Sequence, residues 1–287
     1  MKLFKSKIPD IVVLIVFSAL LVLGTKLDFK ISDKLYTERN WLNFFVAAIA
    51  KLPFYFIAMY ACVNLLISSL RKENKAEKYV MALVYCLGAL ICGMFAFEDM
   101  VEVFMDGIFK YLIAMVIGAL VSGYLFYIFR NRNEEDIVKF KKEYLTIIIA
   151  GAIIVIVTFA LKELIDRARF YEFLNRHGSF TPWYKKGTGG DSMPSGHVAI
   201  SAALFATIPL FKKMDLFKGK NYLYYPVIAI YALLVGLSRI AFGMHYMSDV
   251  AIGGIVGYCV SKVVTWVLFG FTEENTEIKE GSLLNKL

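Results

Sequence analysis

The strongest constraint in this sequence is a series of apolar runs, each about as long as a lipid bilayer is thick. About 20 consecutive apolar residues form a helix that crosses the hydrocarbon core. A chain that is 59% hydrophobic and only 20% charged could not bury this much apolar surface inside a soluble domain. The sequence therefore predicts an all-α integral membrane protein, a bundle of about eight transmembrane helices. The predicted spans are 9–25, 52–70, 79–97, 109–129, 145–161, 197–211, 222–237 and 250–270.

Basic residues are unevenly distributed between the two sides of this predicted bundle. With the amino terminus placed in the cytoplasm, 18 Lys and Arg residues fall on the inner side and 11 on the outer side. Because basic residues accumulate in cytoplasmic loops, this bias predicts that both termini lie inside. The same rule explains the net charge of +8, so no nucleic-acid partner is expected.

The segments outside the main spans are assigned by their composition. The opening MKLFKSK resembles a signal peptide, but no small-residue cleavage site follows it, so we expect a retained first span. The stretch 41–51 is expected to form an interfacial helix, with Lys51 at the headgroup boundary. The acidic segment 98–102 is expected to be a loop on the outer side. Four cysteines lie inside apolar runs with spacing that fits neither a disulfide framework nor a zinc site: Cys62, Cys86, Cys92 and Cys259.

Histidine is scarce in this chain, and two of its three histidines occupy unusual settings. The first, His197, follows Pro194, Ser195 and Gly196 at the predicted start of a helix. The first N–H groups of a helix have no internal partners and its dipole favours negative charge, so this turn can bind an anion such as phosphate. His197 would lie beside that anion and could donate a proton.

The second unusual histidine stands between an arginine and an aspartate. If the segment is helical, Asp249 and His245 share one face, so the carboxylate could accept from one ring nitrogen and leave the other free to attack. Arg239 supplies a planar guanidinium that fits two phosphate oxygens. Lys162 and Arg169 place two permanent cations at the end of the fifth span, on the side with fewer charges. That placement indicates an anionic ligand on the outer side.

The order Lys-x6-Arg, then Pro-Ser-Gly-His, then Ser-Arg-x5-His-x3-Asp resembles the signature of the type 2 phosphatidic acid phosphatase superfamily, over residues 162–249. Vanadate-binding haloperoxidases share this signature but are soluble, so the predicted spans favour the membrane lipid phosphatases. The resemblance implies a six-helix phosphatase core, here preceded by extra N-terminal spans. It also implies that His245 is the nucleophile, that Asp249 orients it and that His197 protonates the leaving group. The residues implied to hold the phosphoryl oxygens are Lys162, Arg169, Ser195, Gly196 and Arg239.

One position departs from the superfamily pattern, in which a proline usually follows the arginine of the first motif. This chain has Phe170 there, which bears on the local path of the chain more than on the chemistry. Cations and backbone N–H groups can stabilise the equatorial oxygens of phosphoryl transfer without a metal. Because the sequence shows no magnesium motif, we predict turnover that needs neither a metal nor another cofactor.

The segment 170–193, between the first and second motifs, matches no motif. Its aromatic residues are interpreted by default as an interfacial belt, while its lysines and glycines could equally hold a second phosphate or a sugar of a lipid headgroup. Asp166 and Arg167 are expected to form a local pair or to face solvent, and His177 to be a loop residue. The aromatic residues of the segment are Phe170, Tyr171, Phe173, Phe180, Trp183 and Tyr184, and its lysines and glycines are Lys185, Lys186, Gly187, Gly189 and Gly190.

Together these patterns predict a lipid phosphatase that works through a phosphohistidine at the outer face of a bacterial inner membrane. The resemblance implies undecaprenyl diphosphate, phosphatidylglycerol phosphate, phosphatidic acid or lipid A phosphates as candidate substrates. Alternatives are phosphate transfer to a lipid or sugar hydroxyl, a transporter, and a non-catalytic scaffold. A transporter should carry its ionisable residues in mid-membrane, whereas here they collect at one face. The expected divisions are N-terminal spans at 1–144, a catalytic core at 145–270 and a polar, mobile cytoplasmic tail at 271–287.

Overall fold

The computed structural model describes residues 2–37, 41–176, 180–187 and 189–284, which form helices, turns and loops without a strand. Two short 3-10 turns, Ala203–Thr207 and Asn221–Leu223, interrupt the α-helical segments. The α-helices of the described residues are α1 (Lys2–Leu35), α2 (Trp41–Ile49), α3 (Leu52–Leu70), α4 (Lys75–Glu102), α5 (Ile108–Phe129), α6 (Glu134–Lys139), α7 (Lys141–Ile165), α8 (Phe170–Arg176), α9 (Gly196–Ala202), α10 (Ile208–Lys213), α11 (Tyr224–Ala241) and α12 (Met247–Leu284).

Seven helical segments of the described residues are long and apolar enough to cross a membrane, one fewer than the expected eight. The run 197–211 accounts for the difference, because a 3-10 turn separates α9 from α10. Pro209, in the first turn of α10, has no N–H to continue the α-helical ladder from the preceding turn. The seven segments are 8–35, 43–70, 75–102, 108–129, 141–175, 221–241 and 247–270.

Large apolar side chains cover the outside of this helical bundle. Val22 on α1, Leu120 on α5 and Ile156 on α7 are 71%, 70% and 67% exposed. Such surfaces are unfavourable in water, whereas lipid chains are as apolar as leucine. The protein is therefore an all-α integral membrane protein, as the composition predicted.

One end of the bundle collects all three sequence motifs. The ends of α1, α4, α7 and α11 meet the starts of α3, α9 and α12 there. Contacts across this end are direct: Lys51, before α3, lies 3.0 Å from Asp99 of α4, and Arg167, after α7, lies 2.9 Å from Asp28 of α1. Side chains that are far apart in sequence can therefore form one site.

Helix α12 approaches α9 closely at two glycines spaced by one helical turn. A Cβ at Gly253 would lie 2.6 Å from the carbonyl oxygen of Ser195, and one at Gly257 would lie 2.3 Å from that of Ala199. Glycine is the residue that permits this approach of helix to backbone. The contact lets the Ser195 N–H donate to the carbonyl oxygen of Asp249 at 3.0 Å, which joins the second motif to the third.

Three of the expected local structures can be compared with the observed ones. A separate helix within 41–51 is confirmed by α2, which ends at Ile49 before a bend and the start of α3. The expected acidic loop 98–102 is wrong, because α4 continues through Glu102. In the described part of the predicted tail, α12 continues as helix to Leu284.

Candidate active site

A pocket of about 240 Å³ opens at the end of the bundle where the three motifs meet. Its wall contains residues of the motif segments and residues that precede them in the chain, such as Lys51 and Glu98. Because histidines and permanent cations dominate its polar lining, the pocket suits an anion. The predicted site residues in its wall are Lys162, Arg169, Gly196, His197, Arg239 and His245.

His245 lies in the short segment between α11 and α12 and is 3% exposed. Its Nδ1 atom is 2.6 Å from the backbone carbonyl oxygen of Ser192. A carbonyl oxygen only accepts hydrogen bonds, so Nδ1 carries the proton and Nε2 keeps its lone pair. His245 is therefore held in the tautomer that an attacking imidazole requires.

The expected hydrogen bond between Asp249 and His245 is not formed, since Asp249 Oδ2 lies 3.9 Å from His245 Nδ1. The carboxylate is occupied by other donors. Its Oδ1 accepts from Arg167 at 2.6 Å, and its Oδ2 accepts from the Ser192 hydroxyl at 2.5 Å and the Tyr246 N–H at 2.8 Å. Asp249 therefore acts on His245 through Ser192, whose carbonyl oxygen holds the ring.

The expectation that Arg167 pairs locally or faces solvent is wrong, because its side chain is 0% exposed. It donates to Asp28 at 2.9 Å, to Asp249 at 2.6 Å and, through Nε, to the carbonyl oxygen of Thr181 at 2.9 Å. A buried cation is costly unless it is paired, and two carboxylates supply the pairing here. Asp28 was missed because α1 extends well beyond the predicted end of the first span, to Leu35.

His197, the second residue of α9, has a carboxylate partner on α4. Its Nε2 atom lies 3.2 Å from Oδ2 of Asp99, and Oδ1 of Asp99 lies 3.0 Å from Lys51 Nζ. Lys51, expected at the headgroup boundary, has a side chain only 14% exposed and also contacts Glu98 at 3.1 Å. Motif reasoning missed Asp99, although an ionisable residue at the end of an apolar helix is a recognised signal of function.

An acidic cluster on α4 lies beside this histidine. Glu98, Asp99 and Glu102 approach one another closely enough to hold a cation. Two lysines pair with these three carboxylates, since Lys51 contacts the first two and Lys110 lies 3.2 Å from Glu102. We assign no metal to this cluster.

Two predicted phosphate-binding residues carry buried polar atoms that have no partner among the described residues. They are the Nε atom of Arg239 and the hydroxyl oxygen of Ser195. A buried polar group without a hydrogen bond costs about 1–3 kcal/mol. An anion in the pocket beside Arg239 would supply the missing acceptor oxygens.

The two cations of the first motif contact a carboxylate of the same chain, that of Asp191. The two oxygens of Asp191 each lie 2.7 Å from an Arg169 nitrogen, and Oδ2 lies 3.5 Å from Lys162 Nζ. Arginine binds phosphate with the same two-pronged geometry. Burial raises the pKa of Asp191, but the hydrogen bond and charge of Arg169, with the charge of Lys162, bring that pKa below its ordinary value. Asp191 is therefore an ionised competitor for the cations that a phosphate would need.

Burial favours the neutral form of both motif histidines. It lowers the pKa of His245 well below 6.5, and the charge of Arg239 lowers it further. Burial likewise lowers the pKa of His197 to about 4, with Arg239 acting in the same direction and Asp99 opposing it. A phosphate anion would raise the pKa of His197, because a nearby negative charge favours the protonated imidazole.

Aromatic residues of the segment 170–193 form an internal cluster where an interfacial belt was the default expectation. Phe170 is fully buried, and its ring centroid lies 5.8 Å from that of Phe29 and 6.1 Å from that of Tyr246. The guanidinium carbon of Arg167 lies 4.0 Å from the Tyr246 ring centroid. Phe170, at the position of the usual proline, therefore helps to enclose the buried arginine. Phe173 and Phe180 join the same cluster.

Two glycines of this segment pack against the first motif, so their backbone is not available to bind a ligand. A Cβ at Gly187 would lie 1.9 Å from the carbonyl oxygen of Asp166, and one at Gly190 would lie 2.5 Å from that of Arg167. Their N–H groups donate to a backbone carbonyl at 2.8 Å and to the Asp166 carboxylate at 2.9 Å. Lys185 and Lys186 are exposed, and His177 lies outside the described residues.

A protein family matches the part of the chain that contains the three motifs. Residues 143–273 match the PAP2 superfamily. The chain is 28% identical over 116 residues to Phosphatidylglycerophosphatase B of Bacillus subtilis (strain 168). That alignment covers 40% of this chain and 50% of the relative, so the chain spans about half the length of the curated relative it matches. No solved structure matches the chain significantly.

Proposed function

Because residues 143–273 match the PAP2 superfamily, we propose that this membrane protein is a lipid phosphatase that releases the terminal phosphate of a membrane lipid. The pocket carries this proposal, because Arg239 Nε and the Ser195 hydroxyl are buried without partners and His245 is oriented nearby. The matched relative is named a phosphatidylglycerophosphatase, which supports the reaction class. Candidate substrates are phosphatidylglycerol phosphate, phosphatidic acid, undecaprenyl diphosphate and lipid A phosphates.

In the proposed reaction Nε2 of His245 attacks phosphorus, and an N–P bond forms as the bond from phosphorus to the leaving oxygen breaks. His197 delivers a proton to that oxygen and then takes one from the water that hydrolyses the phosphohistidine. Asp249 keeps the nucleophile in place through Ser192. The groups that stabilise the three equatorial oxygens are Lys162, Arg169, Arg239, Ser195 and Gly196.

We further propose that the pocket faces the periplasmic or extracellular side of a bacterial inner membrane. The excess of Lys and Arg on the opposite side supports this orientation, 18 residues against 11, in a count in which α9, the 3-10 turn and α10 together cross the membrane. In the proposed division of the chain, residues 145–270 form the catalytic core and residues 1–144 contribute the preceding spans.

Phosphate release by the detergent-purified protein tests the proposal. The four candidate lipids are offered in EDTA to the wild type, to His245→Ala and to Lys75→Ala, an exposed variant at the start of α4 that serves as the control. We expect one or more lipids to release phosphate with the wild type and the control but not with His245→Ala. Quenching the reaction into alkali should preserve a phosphohistidine, and peptide mass spectrometry should locate it at His245.

Three different results would contradict the nucleophile, the metal independence and the hydrolysis of the proposed reaction. Equal activity in His245→Ala would overturn the nucleophile, and activity that is lost in EDTA and restored by magnesium would overturn metal independence. Folded wild-type protein that releases no phosphate from any lipid would overturn hydrolysis. Transfer of labelled phosphate to an added lipid or sugar would then identify a phosphotransferase.

A further inference from the structure

An apolar cavity of about 330 Å³ lies next to the polar pocket, between α3, α4 and α7. Tyr55, Phe95 and Val155 line both spaces, so the cavity and the pocket adjoin each other. The combined space is polar and cationic at one end and apolar at the other. That division matches an amphiphile with a phosphate head.

The depth of the cavity fits the interior of a membrane leaflet. Along α7 the cavity wall extends from Ile156 to Ile147, which is about 14 Å at a rise of 1.5 Å per residue. Half of a hydrocarbon core measures about 15 Å. Lys162 follows Val155 by about two turns toward the motif end of the helix. A lipid with its phosphate beside Lys162 would therefore have its chain at the level of the cavity.

The cavity opens sideways between α4 and α7. Ile91 and Ile156, which belong to its wall, are 53% and 67% exposed on the outer surface of the bundle. Gly151 in the wall lets the ring of Phe54 pack against α7, because a Cβ there would lie 2.8 Å from that ring. An apolar cavity of this kind does not hold ordered water, because water needs polar partners. A lipid chain can enter it directly from the bilayer.

We propose that this cavity binds one hydrocarbon chain of the lipid whose phosphate reacts at His245. This subsite rests on the proposed function and deepens it, because it makes chain length a determinant of substrate choice. Two of its three helices, α3 and α4, precede the segment 143–273 that matches the superfamily. Chain recognition would then be a contribution of the N-terminal spans, and phosphate chemistry a contribution of the matched segment.

A second apolar cavity in the same bundle provides a matched control. It measures about 310 Å³, lies between α3, α4 and α5, and has Leu70 and Ala119 in its wall. It shares no lining residue with the polar pocket. Ala119→Leu would narrow this second cavity, and Ala152→Leu, at an exposed position, would narrow the proposed chain site by the same change.

The test compares dioctanoyl and dioleoyl phosphatidic acid in mixed micelles. Ala152→Leu is expected to raise KM for the dioleoyl lipid about tenfold, the loss expected when about two methylenes are excluded from an apolar site. It should leave kcat and dioctanoyl turnover unchanged, because chain binding is the same in the ground and transition states. Ala119→Leu should change neither lipid. Equal effects of the two variants, or loss of dioctanoyl turnover in Ala152→Leu, would overturn the chain site.

Failure of the proposed function gives a different result from failure of the chain site. Wild-type protein that releases no phosphate from either lipid would contradict the proposed function. A non-hydrolysable lipid phosphonate with a photoreactive group in its chain tests the chain site without turnover. Crosslinked peptides should come from α3, α4 and α7, and Ala152→Leu should reduce their yield. Crosslinks confined to α5 or α11 would overturn the chain site.

Discussion

Arg167 and Asp249 form an ion pair of 2.6 Å in which neither side chain has any exposed surface. Arg167 also holds Asp28 of α1 at 2.9 Å. Asp249 in turn accepts from the hydroxyl of Ser192, and the carbonyl oxygen of Ser192 accepts from His245. The orientation of the proposed nucleophile therefore depends on a series of contacts that begins on the first helix.

Substitution of Arg167 should separate positioning from stability. Arg167→Lys keeps the charge but loses the planar fork that reaches two carboxylates, so kcat should fall at least about tenfold through misplacement of His245. Arg167→Met should lower the stability by about 3–5 kcal/mol, because it leaves buried carboxylates without a cation. Lipid phosphatase kinetics and thermal unfolding in detergent measure the two effects. Arg71→Lys, in a half-exposed pair with Glu134, is the control, and undiminished kcat in Arg167→Lys would contradict the positioning role.

The proton affinity of His245 should be visible in its titration. Burial and the charge of Arg239, followed by that of Lys162, lower the pKa of His245, so its imidazole should remain neutral when the pH falls through 6.5. Lys162→Met removes one of these positive charges and should move the midpoint to higher pH. NMR of 13C-labelled histidine in micelles can follow this midpoint, since the chain has only three histidines. A His245 midpoint at or above 6.5 in the wild type would contradict the prediction.

Asp99 should matter most when the leaving group is a poor one. Asp99→Asn removes the charge that favours protonated His197, so hydrolysis of an alkyl phosphate should slow by about 10- to 100-fold, a part of what general acids contribute. Hydrolysis of p-nitrophenyl phosphate should slow much less, because its leaving group needs little protonation. Glu102→Gln, which neutralises the neighbouring carboxylate, is the control. Equal slowing of both substrates would indicate a structural effect only.

Removal of the Asp191 charge should strengthen the binding of phosphate analogues. Asp191→Asn frees the paired cations Arg169 and Lys162, so the inhibition constant of vanadate should fall several-fold at constant pH. Glu163→Gln, an exposed change on α7 that also removes one negative charge, controls for the general potential of the site. Weaker vanadate inhibition in Asp191→Asn would show that the carboxylate positions the arginine and does not compete with the anion.

Hydropathy and motif spacing predicted the class of fold and six residues in the wall of the polar pocket. Both signals are local: a span is a continuous run, and a motif such as Pro194 to His197 is a short segment. The break in 197–211 escaped hydropathy, because the residues stay apolar while Pro209 changes the helical geometry. Hydropathy also failed to predict the end of α1, for the opposite reason. Asp28 is charged and indicates a polar loop unless its buried partner is known.

The partners of the motif residues could not be predicted, because they depend on contacts between distant segments. Arg167 and Asp28 are separated by 139 positions in the chain. The pair of His197 and Asp99 likewise joins a motif to a helix that no motif includes. Spacing identified the residues suited to phosphate chemistry, and only the packing of the helices showed which carboxylate lies near which histidine.

The contact of Asp28 with Arg167 connects the matched segment to a helix that lies outside it. The segment 143–273 contains every motif residue, yet it leaves behind the carboxylate on α1 and the one beside His197 on α4. Excised alone, it would carry an arginine that has lost one of its two counter-ions and a histidine without its acidic neighbour. We therefore expect that the proposed activity cannot be transferred with the matched segment alone, and that grafts or truncations need the first and fourth helices as well.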